Sequence, residues 1–94
     1  MHIFDLSGLA MGGESRRRLT KLVDAMTPQG LEAAVREVAI EFASDEAAFH
    51  AGHLHGDFQD LEKRRRNAER AEASFAAGDV QATLLALVSF WDRT

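Results

Sequence analysis

The chain has 94 residues, 46% of them hydrophobic, and a formal net charge of −4. One domain's worth of sequence with that apolar content supports a packed core and excludes wholesale disorder. The absence of cysteine excludes a disulfide scaffold, a thiolate zinc site and a cysteine nucleophile, and the acidic balance argues against a general nucleic-acid binder.

The opening Met1-His2-Ile3-Phe4-Asp5-Leu6 has no basic stretch leading into an apolar run, so no secretory leader is expected. No apolar run approaches the ~18–20 residues that span a bilayer. A cytoplasmic protein without a membrane segment is the expectation. Residues 1–13 carry Ile3, Phe4, Leu6, Leu9 and Met11 and stop at Gly12-Gly13. They read as an N-terminal arm or short helix on a single helical domain spanning 1–94.

The first clear helix covers about Glu14 to Met26. Leu19, Leu22, Val23 and Met26 fall at i, i+3, i+4 and i+7, on one face. Thr27-Pro28 then ends that helix and starts the next, with Thr27 as N-cap and Pro28 at the first helical position. The second helix runs from Pro28 to Ala43 with the stripe Leu31, Val35, Val38 and Phe42. Ala34 and Ile40 widen the stripe, so this helix is expected to be the most buried.

Ser44-Asp45-Glu46 carries the residues of an N-cap and predicts a new segment over 45–77. That segment is either one long helix or one kinked or broken near Gly56. An internal glycine costs roughly 1 kcal/mol against alanine, which favours the break. Read as one helix, it places Leu54, Phe58, Leu61, Arg65, Ala68, Glu72 and Phe75 at heptad spacing. Gly78 suits a helix end and Asp79 the cap of the last helix, residues 80–93. That helix carries Val80, Leu84, Leu87, Val88 and Trp91 on one side. Leu85 and Phe90 extend its apolar band, which reads as covering a partner as well as the core. The fold expected is an all-α bundle of four or five helices. Phe58, Leu61 and Phe75 join the stripes above in its core.

The charges are unevenly laid out. Between Arg36 and Lys63 there is no lysine or arginine, while Glu37, Glu41, Asp45, Glu46, Asp57, Asp60 and Glu62 accumulate. Lys63-Arg64-Arg65-Arg66 follows, with Arg70 behind it. Asp60 with Arg64 and Glu62 with Arg66 have the spacing of pairs on one helix. Two copies laid antiparallel would also set acidic half against basic half, so a homodimer is expected. Arg16-Arg17-Arg18 with Lys21 is a second basic cluster. Residues 15–43 have a helix–turn–helix outline, but Glu32, Glu37 and Glu41 on the second helix would repel phosphates.

His50, His53 and His55 lie within six residues. On a continuous helix Glu46, His50, His53, Asp57 and Asp60 form one stripe. Imidazole and carboxylate suit zinc or another divalent transition metal, and His50, His53 and Asp57 are the candidate ligands. One helix face surrounds only part of an ion, so a dimer would have to complete the site. No phosphate loop or nucleotide fingerprint is present, and no nucleophile sits beside the His53–Asp57 pair, so no catalysis and no cofactor are expected. The expected function is a small interaction module, an adaptor, inhibitor or regulatory subunit that binds another protein through helical faces. Its partner-binding residues would be Lys63, Arg64, Arg65, Arg66, Arg70, Leu85 and Phe90. A metal-binding helical dimer is the alternative.

Overall fold

The computed structural model describes residues 13–24, 26–52 and 58–92. They form four helices and, among the described residues, no strand: α1 (Gly13–Asp24), α2 (Pro28–His50), α3 (Phe58–Ala76) and α4 (Val80–Trp91). The all-α bundle expected from the sequence is the fold. The N-terminal arm lies outside the described residues.

The shortest apolar helix organises the others. α4 touches α1, α2 and α3, and its broadest contact is with α3. A helix that is apolar on most sides must be covered on those sides, and α4 accordingly buries Leu84, Ala86, Leu87, Val88 and Phe90. Against it α1 sets Leu19, α2 sets Leu31, Ala34, Val35 and Val38, and α3 sets Ala68 and Ala71. Alanines on both sides of the α3–α4 contact let the two backbones come close.

The corners follow local chemistry. Thr27 Oγ1 accepts a hydrogen bond from the Gly30 amide at 2.9 Å, with Pro28 at the start of α2. Asp79 Oδ1 accepts from the Ala82 amide at 3.0 Å at the start of α4. Each such cap is worth about 1 kcal/mol. Gly78 ends α3 at φ +75°. There the Asp79 amide donates to Ser74 O at 2.9 Å and the Gly78 amide to Phe75 O at 3.0 Å. This paired closure needs the left-handed conformation that glycine adopts without strain.

Four expectations are corrected. Ser44-Asp45-Glu46 does not open a helix, because nothing before it closes one. Ala43, Ala47 and Ala48 continue α2 to His50, so Asp45–His50 belong to α2 and only 58–76 of the expected segment form α3. The break falls at Gly52 (φ +77°), whose amide donates to Phe49 O at 3.0 Å. Gly56 lies outside the described residues. Ile40 is 65% exposed, since it stands 200° round the helix from buried Val38. Phe58, first residue of α3, is 60% exposed, with its ring 6.5 Å from that of half-buried Phe49. Phe90, expected on the outer side of α4, is wholly buried because α4 is enclosed by the three other helices. Among the described residues no helix is long and apolar enough to cross a membrane.

Candidate functional site

The run Lys63-Arg64-Arg65-Arg66 is divided by its own helix. Successive residues of an α-helix point 100° apart, so four cations in a row do not share a face. α3 turns Arg64 and Arg65 towards α2 and α4, and turns Lys63 and Arg66 outward.

Arg64 ties three helices together. Its Nε donates to Asp45 Oδ2 at 2.9 Å, and its Nη1 donates to the Phe90 carbonyl at 3.3 Å. Nη2 lies 2.7 Å from Asp45 Oδ2, at ion-pair distance but without hydrogen-bond alignment. The guanidinium covers the Phe90 ring, 4.1 Å from its centroid, a favourable cation–π placement. Both ionic side chains are only 16% exposed. Asp45 stands near the end of α2 and the Phe90 carbonyl in the last turn of α4, where a helix favours a cation. Removing either charge leaves the other half-buried and poorly solvated.

Arg65 repeats the arrangement nearer the surface. Its Nε donates to Glu62 Oε1 at 3.0 Å and its Nη2 donates to Glu46 Oε2. Its guanidinium lies 5.2 Å from the centroid of the Phe42 ring. Hydrogen bonds to Glu62 and then to Glu46 hold its pKa above the ordinary guanidinium range. A raised folded-state pKa stabilises the fold fully at pH below the unfolded value and ceases to do so only as pH rises through the folded one. Arg65 therefore contributes a constant term across the neutral range.

Lys63, Arg66 and Arg70 make the outward face. They follow one another at three and four residues along α3 and are exposed, so they form one stripe of about 10 Å. Among the described residues none of the three has an ion-pair or hydrogen-bond partner. Exposed Glu69 stands beside the stripe, whereas exposed Glu72 lies about 160° round the helix from Arg70. On α4, Leu85 is 40% exposed between exposed Gln81 and Ser89, a single apolar side chain and not a band.

The sequence-predicted site residues thus separate. Arg64 lies over buried Phe90, and Arg65 sits nearer the surface against Phe42. Lys63, Arg66 and Arg70 share the outer face of α3, and Leu85 stands alone. The pairing expected within α3 is also redistributed: Arg64 takes Asp45 on α2, and Glu62 takes Arg65, not Arg66. The second basic cluster does not join the first, because α1 makes no contact with α3 among the described residues. Arg17 is paired with Glu14 at 2.9 Å. Arg18 is within 3.8 Å of Glu41, with its guanidinium 5.7 Å from the Trp91 ring centroid.

His50 ends α2 as an exposed residue, its ring edge-on to Phe49 at 5.8 Å. Glu46, which the continuous-helix reading put on the histidine stripe, is held by Arg65. His53, His55 and Asp57 lie outside the described residues. Among the described ones no group of three or more histidines or carboxylates is placed to hold a metal.

An apolar cleft of about 200 Å³ opens between the two capped corners, walled by Met26, Pro28, Leu31, Phe75 and Val80. Its polar wall atoms are satisfied locally: Thr27 and Asp79 cap their helices, and Thr83 Oγ1 donates to Asp79 O at 2.7 Å. No family model matches the chain, and neither a curated protein nor a solved structure shows significant similarity to it.

Proposed function

We propose that this protein is a small interaction module, an adaptor, inhibitor or regulatory subunit, that docks another protein on the outer face of α3. The observation that carries the reading is the stripe Lys63, Arg66 and Arg70: three exposed cations, one helical turn apart, with no partner among the described residues of a net acidic chain. Positive charges left unneutralised on a rigid helix favour encounter with carboxylates and set orientation. The helix that carries them is fixed from behind by Arg64, Arg65, Leu61 and Ala68, so little order has to be created on binding.

Self-association was the other use of this charge pattern. Part of that pattern is engaged within one chain, where Asp45 and Glu46 reach Arg64 and Arg65. The acidic-to-basic alternation along 45–77 is the complementarity of α2 for α3.

The test is a titration of the full chain with a labelled glutamate-rich helical peptide at about 0.1 M salt, read by fluorescence anisotropy. Arg66→Glu with Arg70→Glu should weaken binding by about tenfold or more, while Arg16→Glu with Arg17→Glu should change it little, as exposed charges act mainly within a Debye length of about 10 Å. Equal losses from both pairs would mean that the chain attracts the peptide without a site, and the reading would fall.

A further inference from the structure

α2 is apolar on its outer side as well as its inner one. Ile40 is 65% exposed, the most exposed large apolar side chain among the described residues. Ala33 and Ala47 stand seven residues before and after it and are also exposed, and both point within about 20° of its direction round the helix. Exposed Ala43 lies beside them. One exposed isoleucine means little by itself. What gives this one meaning is that its surroundings read alike in both directions along the helix.

A two-fold axis through Ile40 generates a second, antiparallel α2. It sets Ile40 against Ile40 and brings Ala33 of each copy level with Ala47 of the other. Alanines at those levels let the backbones approach to about 8–10 Å. The polar residues of the face also fit. Arg36 comes beside Ala43 of the second copy, and Glu37 beside its Ser44. Glu37 and Ser44 have no hydrogen-bond or ion-pair partner among the described residues, so the hydroxyl of one copy can donate to the carboxylate of the other at both ends of the contact. No like charges are set face to face. Glu41 points about 100° away from Ile40 and is within 3.8 Å of Arg18.

We propose that this face binds a second copy of the chain, α2 against α2 and antiparallel, with Ile40 on the two-fold axis. The parallel in-register pair also meets at Ile40 but is poorer. It aligns the two helix dipoles, and its cross-helix charge contact is Arg36 with Glu37, although Arg36 already donates to Glu32 at 2.8 Å. The face is separate from Lys63, Arg66 and Arg70 on α3, so the two interactions are independent.

Two measurements on the full chain test this. Light scattering at about 0.1 mM should give twice the mass of one chain. Ile40→Lys should raise the dissociation constant by about tenfold or more, with helicity unchanged by circular dichroism, since the side chain is exposed. The chain has no cysteine, so introduced thiols report the sense of the pairing. A mixture of Ala33→Cys and Ala47→Cys chains should be joined by a short bis-maleimide linker, and each variant alone should not. A single-chain mass for the unaltered protein overturns the dimer. A dimer that Ile40→Lys leaves intact overturns the α2 face. Linking of Ala33→Cys alone as readily as the mixture overturns the antiparallel sense.

Discussion

The two faces of α3 carry the same residue types in different employment. Inward, Arg64 and Arg65 reach Asp45 and Glu46 and lie against the Phe90 and Phe42 rings. Outward, Lys63, Arg66 and Arg70 have no hydrogen-bond or ion-pair partner among the described residues. A cation's role here is set by its angle on the helix, not by its membership of a run. The inner pair belongs to the architecture, while the outer three lie exposed on the surface.

The comparison breaks most visibly at the residue beneath the inner pair. Phe90→Ala removes a fully buried ring and the surface that Arg64 covers. It should cost about 3–5 kcal/mol in urea unfolding; a loss below about 1 kcal/mol would show that α4 is not the centre of the bundle. Arg64→Ala comes next. It strands Asp45 in a site where both side chains are 16% exposed, and about 2–3 kcal/mol of destabilisation is expected after allowing for partial solvation. Asp45→Asn should fall on the same scale, and the double variant should lose less than the sum of the two. Simple additivity would contradict the pairing.

Smaller effects sharpen the contrast. Thr27→Ala and Asp79→Ala each remove a cap and should cost about 1 kcal/mol with no change in peptide binding. Arg66→Ala, on the outer face, should move stability by no more than about 0.5 kcal/mol. If Arg66→Ala destabilised as much as Arg64→Ala, the division between faces would be wrong.

Much of this was legible in the sequence, and the misses have physical causes. Thr27-Pro28 and Gly78-Asp79 announce their corners because caps are local chemistry. The stripes of α1 and α2 are legible because their apolar spacing is regular. Ser44-Asp45-Glu46 misled because a capping residue is also tolerated inside a helix when its side chain has another use, and Asp45 is held by Arg64. Phe90 misled because an apolar band around a helix fits either an outer partner or enclosure by its own bundle. α4 is enclosed. For α3 a signal was present. The heptad through Leu61, Arg65, Ala68, Glu72 and Phe75 has an alternative that keeps Leu61, Ala68 and Phe75 and takes Arg64 and Ala71 in place of Arg65 and Glu72, which contains one charge instead of two. That phase is the buried one, with Leu61, Ala68 and Ala71 in the core and Arg64 among them. What no local pattern supplied was the inward carboxylate that lets an arginine occupy such a position, because Asp45 lies 19 residues away on another helix.

The most direct measurement is the NMR spectrum of the arginine side-chain Nε–H groups in the free protein. Arg64 and Arg65 should give dispersed resonances with slowed hydrogen exchange, since their Nε–H groups donate to Asp45 and Glu62 at 2.9 and 3.0 Å, while Arg66 and Arg70 should exchange rapidly near the position of a free arginine. Four equivalent, rapidly exchanging signals would contradict the division of the helix into a paired inner face and an unpaired outer one.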